Sequence, residues 1–125
     1  MFTASTVRLT IALVDSELDD EEKDQAVRQL LTEFQELDEV ERAERVLDPA
    51  PPEGNKALGG FLVNLLLLEV NQANIKRLFG FVGDRLSGKP IELEVEANGK
   101  KLKVKASSQE ELAAAIKAAQ EFVAV

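Results

Sequence analysis

The chain has 125 residues, of which 45% are hydrophobic and 30% are charged, and its formal net charge at pH 7 is −8. This length is typical of a single domain that can bury a substantial core, so residues 1–125 are predicted to form one domain. The absence of Cys, His, Trp and Tyr excludes thiol nucleophiles, imidazole bases and most zinc sites, and the acidity argues against a nucleic-acid partner.

The N-terminal part predicts a strand followed by a helix. Residues 7–14 alternate apolar and polar side chains and end in a nearly continuous apolar run, which is typical of a central strand. Asp19, with Glu22 three residues later, is the pattern of a capping box at a helix start. In residues 20–37 the apolar side chains repeat at three- and four-residue spacing, which indicates a helix with one face on the core.

Residues 39–47 fit two secondary structures, because Val40, Ala43 and Val46 have helical spacing while the segment also alternates like a strand. We interpret it as an edge strand. Its many charges would protect an open sheet edge from pairing with other chains, and a strand here completes a β-α-β unit with the first strand and helix. The three prolines of residues 48–56 then predict an extended loop.

Residues 58–86 are the longest apolar-periodic stretch and contain no proline, so they predict one long helix. At about 100° per residue, one side forms a core seam of Phe61, Leu65, Leu68, Ile75, Leu78, Phe79, Val82 and Leu86. The opposite side carries a second apolar stripe of Val63, Leu66, Leu67 and Val70. Two interpretations of this second stripe stay open: the first and last helices cover it, or a partner binds it.

A membrane span is not expected from this stretch. Its apolar run already contains Asn64 and then reaches Glu69, which leaves it short of the roughly 20 apolar residues that a span requires. The N-terminus has no basic region ahead of an apolar stretch and no cleavage site of small residues, so no secretory signal is expected either. We therefore expect a cytoplasmic protein without membrane contact.

The last part of the chain predicts a hairpin and a helix. Residues 91–97 and 100–106 flank Asn98-Gly99, the pair favoured in a two-residue hairpin turn. Pairing about this turn places apolar side chains on one face and three Glu–Lys pairs on the other. These pairs are Glu96 with Lys101, Glu94 with Lys103, and Glu92 with Lys105. Ser107 or Ser108 is expected to cap the final helix, with Glu110 or Glu111 at the reciprocal position.

The predicted element order is β-α-β-α-β-β-α. We expect an α+β protein, a two-layer sandwich in which three helices lie on one face of a four-stranded mixed sheet. The sequence has no catalytic constellation and no phosphate loop, and its acidic cluster does not match a calcium loop. No catalytic residue, metal or cofactor is therefore expected.

Three parts of the sequence carry a family resemblance. They are the β-α-β start, the loop Pro52-Glu53-Gly54-Asn55-Lys56-Ala57 that leads into a Leu-rich segment, and the hairpin IELEVEANGKKLKVKASSQEEL. Together they resemble the effector-associated constant component of bacterial conflict systems, over nearly the whole chain. The chain departs from the family pattern where Ala57 replaces a glycine after the loop lysine, and where a frequent tryptophan near the end of the long helix is absent.

The resemblance implies a non-enzymatic adaptor that couples an effector encoded nearby, such as a caspase-like or trypsin-like peptidase, to a defence or signalling system. We expect it to act by contact, through the loop and the first half of the long helix, at Pro52, Gly54, Lys56, Val63, Leu67 and Val70. A self-complementary surface would give a homodimer. Two alternatives stay open: a homo-oligomeric structural protein, and an enzyme or small-ligand binder that uses carboxylates and Lys56.

Overall fold

The computed structural model describes residues 6–47 and 61–123. Its elements are β1 (Thr6–Leu13), α1 (Asp20–Gln35), β2 (Val40–Leu47), β3 (Phe61–Asn71), a 3-10 turn (Gln72–Asn74), α2 (Ile75–Leu86), β4 (Ile91–Ala97), β5 (Lys100–Ala106) and α3 (Gln109–Val123). The strands form one sheet in the order β2-β3-β1-β4-β5, and every neighbouring pair is antiparallel. The α+β class is confirmed, but the sheet has five strands instead of four and is antiparallel instead of mixed.

All three helices pack on one face of this sheet. The side chains that alternate toward them from β1, β3 and β4 are buried and join the helices in one core cluster, while the side chains between them are not buried. The strand members of this cluster include Val7, Leu9, Ile11, Leu66, Leu68, Val70, Leu93 and Val95. The result is the predicted two-layer arrangement, and no helix of residues 6–47 and 61–123 covers the other face of the sheet.

The predicted long helix is wrong in its first half, because Phe61–Asn71 is strand β3 and only Ile75–Leu86 is helical. Leucine is compatible with both structures, and an apolar run on both faces of a strand has no period that separates it from a buried helix. The change of structure occurs at Asn71, whose side chain accepts a hydrogen bond from the Ala73 N–H at 2.9 Å. The second apolar stripe of a long helix therefore does not exist.

The core seam predicted for that helix is nevertheless largely buried. Its buried members are Leu68, Ile75, Leu78, Phe79, Val82 and Leu86. Those in α2 are buried for the expected reason, the helical period, whereas Leu68 is buried because strand alternation turns it toward the helices. Leu65 lies on the opposite face of the sheet and is half-buried, and the side chain of Phe61 is outside the described part.

Two β-α-β units interlock through β3. Strands β1 and β2 run parallel to each other with β3 between them, and β3 and β4 run parallel with β1 between them. This is the split β-α-β, or ferredoxin-like, order of strands, extended here by β5 and α3. The edge position predicted for residues 39–47 is confirmed, since β2 ends the sheet, and the unpredicted β3 is what makes all neighbours antiparallel.

The hairpin prediction is confirmed pair by pair. Glu96, Glu94 and Glu92 face Lys101, Lys103 and Lys105 across the β4–β5 ladder, and Leu93 and Val95 are buried. Asn98 and Gly99 have φ angles of 56° and 76°. These positive values are what a tight two-residue turn requires, and Asn-Gly is the pair that adopts them most readily.

The helix caps are also confirmed in position. Asp19 and Glu22 form the capping box of α1, with hydrogen bonds of 2.8 and 2.9 Å. At α3 the Ser108 hydroxyl accepts the Glu111 N–H at 3.1 Å, and the Glu111 carboxylate accepts the N–H and hydroxyl of Ser107. Two hydrogen bonds from Ser107 lower the pKa of Glu111, the larger effect coming from the hydroxyl and the smaller from the backbone N–H. The stability that these hydrogen bonds add to the fold is therefore present at neutral pH and is lost as the pH falls through the lowered pKa.

A buried ion pair joins α1 to β2 on the helix side of the sheet. Arg45 Nη2 donates to Asp24 Oδ1 at 2.7 Å and to the Leu62 carbonyl oxygen at 3.3 Å. The side chains of Arg45 and Asp24 are only 7% and 3% exposed. On the solvent side, Arg28 Nε approaches the other Asp24 oxygen at 2.9 Å. The edge strand is thereby connected to the helix layer by two desolvated charges. Removing either one would leave the other buried without its partner charge, which is strongly destabilising.

Substitution of two adjacent leucines, one on each face of β3, tests which face of the strand lies in the core. We expect Leu68→Ala to lower the free energy of unfolding by about 2 to 5 kcal/mol, because it leaves a cavity in the core. Leu67→Ala, on the other face, is the matched control and should cost clearly less, because Leu67 is only half-buried. Urea denaturation followed by circular dichroism measures both, and equal losses would contradict the strand assignment.

The buried ion pair gives a second stability prediction. Asp24→Ala removes the carboxylate that a desolvated guanidinium faces, so the free energy of unfolding should fall by about 3 to 5 kcal/mol. Arg28→Ala removes the exposed partner of the same carboxylate and should cost about 1 kcal/mol or less. Thermal and chemical denaturation of the two variants test this, and a large loss with Arg28→Ala alone would show that the inner pair is not the dominant contact.

Candidate functional site

The sheet face opposite the helices has no helix of the described chain packed on it, and we call it the outer face. Its members alternate along each strand with the side chains that face the helices, and they share one face through the pairing register. They are Arg42 and Glu44 in β2; Leu65, Leu67 and Glu69 in β3; Arg8, Thr10 and Ala12 in β1; Glu92, Glu94 and Glu96 in β4; and Lys101, Lys103 and Lys105 in β5. None of them is buried.

A row of charges crosses one end of the outer face with alternating sign. In strand order it consists of Arg42, Glu69, Arg8, Glu96 and Lys101, and each residue is the register partner of the next. Arg8 Nε lies 3.1 Å from Glu69 Oε2. Opposite charges placed directly across neighbouring strands stabilise a sheet, so this row strengthens the pairing of all five strands.

Beyond the charged row, the middle of the outer face is apolar. Thr10 lies opposite Leu67 and Ala12 lies opposite Leu65, which makes a block of four side chains on β1 and β3. We call these four residues the apolar block. Each of them is half-buried, and the described helices all lie on the other side of the sheet. Because Thr10 and Ala12 are short, the surface is lower over β1 than over the leucines of β3.

The outer face carries no net charge. Its five basic residues are Arg8, Arg42, Lys101, Lys103 and Lys105, and its five acidic residues are Glu44, Glu69, Glu92, Glu94 and Glu96. The net charge of −8 therefore comes from the remainder of the chain. An acidic macromolecule approaching this protein meets less repulsion at the outer face than elsewhere.

The six residues predicted to bind a partner do not form one group. Pro52, Gly54 and Lys56 lie outside the described residues. Leu67 belongs to the apolar block, and Val63 is half-buried in β3. Val70 is fully buried and pairs with Val7 on the helix side of the sheet. A helix would have put Leu67 and Val70 on one side, but in a strand residues three apart point to opposite faces.

The other members of the outer face were not recognised from the sequence as parts of a site. Leu65 was predicted to lie in the core, and Arg8, Thr10 and Ala12 were treated only as the polar side of a strand. No pattern in the sequence would have found them, because Leu65 and Leu67 are the same residue type as Leu66 and Leu68 on the other face of the strand. The two faces are separated only once residues 61–71 are assigned to a strand.

No group of three or more acidic side chains in residues 6–47 and 61–123 is arranged to hold a metal ion. A shallow groove of about 440 Å³ between α2 and α3 is lined mainly by apolar residues and glutamines, with Lys76 as the ionisable one. None of the helices in the described part is long and apolar enough to cross a membrane.

Comparison of the chain with protein-family models, with curated proteins and with solved structures finds no match. What the protein does is therefore inferred from its own surface and from the resemblance carried by its residues. The outer face, with balanced charges and an apolar block that no described helix covers, is the candidate site.

Proposed function

We propose that this protein is a non-enzymatic adaptor that binds an effector protein through the outer face and so couples the effector to a bacterial defence or signalling system. The observation that carries the proposal is the apolar block, which the described helices leave uncovered at the middle of a face without net charge. Apolar patches with a polar rim are typical of protein interaction sites. The resemblance to effector-associated constant components supplies the kind of partner, a caspase-like or trypsin-like peptidase encoded nearby.

The composition of the outer face suits contact better than catalysis. An interface needs an apolar centre that loses water and a polar rim that sets the orientation of the partner. Leu65 and Leu67 supply the centre, and the low surface over Ala12 gives a partner side chain a place to pack. The surrounding charges fix the register, since a wrongly placed partner would bring like charges together.

A second candidate function is assembly of the protein with itself through the same face. The specific observation in its favour is the equal number of basic and acidic side chains on the outer face. Two copies related by a two-fold axis can bring such faces together without net repulsion. The rest of this acidic chain offers no such balance.

The adaptor function is tested by binding to the effector encoded beside this gene. The two proteins are co-expressed, purified, and titrated against each other by calorimetry. Leu65→Lys combined with Leu67→Lys should weaken the complex by about tenfold or more, because two ammonium groups would lose their water at the interface. The fold should persist, since both side chains are on the solvent side of the sheet, and circular dichroism checks this.

Gln25→Lys combined with Gln29→Lys is the matched control, because it adds the same charges to exposed positions of α1. It should leave the dissociation constant unchanged. Undiminished binding by the outer-face variant would place the effector contact elsewhere. A dimer that becomes monomeric only in the outer-face variant would favour self-assembly, and a monomer that binds no neighbouring effector, or turns over a substrate alone, would contradict the adaptor function.

A further inference from the structure

The free edge of β5 is a surface distinct from the apolar block. Strand β5 ends the sheet and, among the described elements, pairs only with β4. Its ladder with β4 runs from Ile91 opposite Ala106 to Ala97 opposite Lys100 without a register shift. The opposite edge, β2, has two irregularities in its pairing with β3. A bulge interrupts the regular row of backbone donors and acceptors with which another strand would pair. The regular β5 edge is therefore better suited than β2 to pair with an added strand.

The backbone groups that are free on this edge belong to three lysines. In a hairpin with a two-residue turn, the pair that flanks the turn exchanges hydrogen bonds, and every second pair after it does the same. Ala97 with Lys100 is that first pair. The N–H and C=O groups of Lys101, Lys103 and Lys105 therefore point away from β4, toward the position that an added strand would occupy.

The side chains of the same lysines define the charge that such a strand needs. All three lie on the outer face and are exposed. Lys103 and Lys105 both reach Glu92 of β4, with N–O distances of 3.5 and 3.6 Å. A strand on the free side of β5 would lie against this lysine column as β4 does, so acidic residues at every second position would match it.

The helix side of the same edge is apolar and incompletely covered. Leu102 and Val104 of β5 are half-buried there. In α3, Ala118 and Phe122 are four residues apart on one side of the helix and are also half-buried. The groove shared with α2 uses a different side of α3, at Ile116 and its neighbours. Apolar residues that alternate with the acidic ones in an added strand would pack on this row.

We propose that the β5 edge binds an extended segment of a partner protein in which acidic and apolar residues alternate, by adding a sixth strand to the sheet. The pattern required is the one that β4, IELEVEA, already presents to β5. Edge lysines protect a sheet against basic and neutral strands, and the same charges select an acidic one. The proposal concerns the edge of the sheet, which shares these three lysines with the rim of the outer face, and it does not depend on what binds the apolar block.

A second copy of this chain is a poor occupant of the edge. Pairing β5 with another β5 in any register that keeps the two faces matched sets lysines opposite lysines, which is destabilising. The acidic alternating strand of this chain, β4, is already paired on both sides, with β1 and β5. Neither strand of a second copy's β4–β5 hairpin therefore suits the edge, and the occupant proposed here is a different protein.

A fluorescein-labelled peptide of sequence IELEVEA is the probe, and its binding to the full chain is measured by fluorescence anisotropy. Two control peptides are used: IEEELVA, which has the same composition without the alternation, and IKLKVKA, which reverses the charge. Both should bind at least about tenfold more weakly than the probe. The affinity of the probe should also fall as salt is added, because the lysine column is exposed.

Lys103→Pro removes one N–H that points to the free edge and no hydrogen bond to β4, so it should abolish probe binding while the hairpin persists. Lys103→Glu keeps the backbone and reverses the charge, and should weaken binding by about tenfold or more. If the proline variant does not fold, the glutamate variant gives the answer. Gln25→Lys combined with Gln29→Lys, which adds two positive charges at exposed positions of α1, should bind the probe like the wild type, which shows that added positive charge alone does not attract the peptide.

Amide hydrogen exchange supplies a readout that nonspecific attraction would not change. Probe binding should slow exchange at the amides of Lys101, Lys103 and Lys105, while Leu102 and Val104 are already protected by β4. The proposal is overturned if the probe does not bind, if IEEELVA binds equally well, or if protection appears away from β5. If this test fails, the proposal that an effector binds the apolar block still stands. If the effector test fails, the proposal for the β5 edge still stands.

Discussion

The pairing of β3 with β1 on one side and β2 on the other is the contact on which the rest of the structure depends. Without β3, strands β1 and β2 have no partner in common and α1 has no sheet to cover at that end. With it, Leu66, Leu68 and Val70 complete the core below the helices. Arg45 is brought opposite Leu66 and meets Asp24 of α1. The same strand supplies Leu65 and Leu67 to the outer face, so one element builds both the core and the candidate site.

Features encoded by neighbouring residues could be predicted, while those that depend on distant pairing could not. Asn98-Gly99 determines its own turn, and Asp19 with Glu22 determines the start of α1, because each acts within a few residues. The helical phase of α2 was also predictable, since its apolar residues have a clear period. Residues 61–71 lack such a period, and a strand with apolar side chains on both faces is defined by what it pairs with. The candidate site could not be found because it is a property of that pairing.

The outer face and the β5 edge differ in charge, so they are suited to different binding partners. Basic and acidic residues alternate across the strands of the outer face, and this leaves its centre free to be apolar without attracting or repelling charged partners as a whole. At the β5 edge one sign prevails, because the glutamates of the ladder all lie on β4 and the lysines all lie on β5. The same ladder thus stabilises the hairpin and gives its open side a preference for acidic strands.

The position of β1 has a consequence for how the chain reaches this fold. It precedes the other described strands in the chain and is the central strand of the sheet, yet Arg8 and its partner Glu69 are 61 residues apart in sequence. Pairings between such distant segments are slow to form, because a long loop must close before any contact is gained. Both edges of β1 therefore stay open on the ribosome until β3 and β4 have been made. The β4–β5 hairpin pairs neighbouring segments, and because hairpins form in about 1 to 10 μs, it offers β1 a rapidly formed strand on which to complete its pairing.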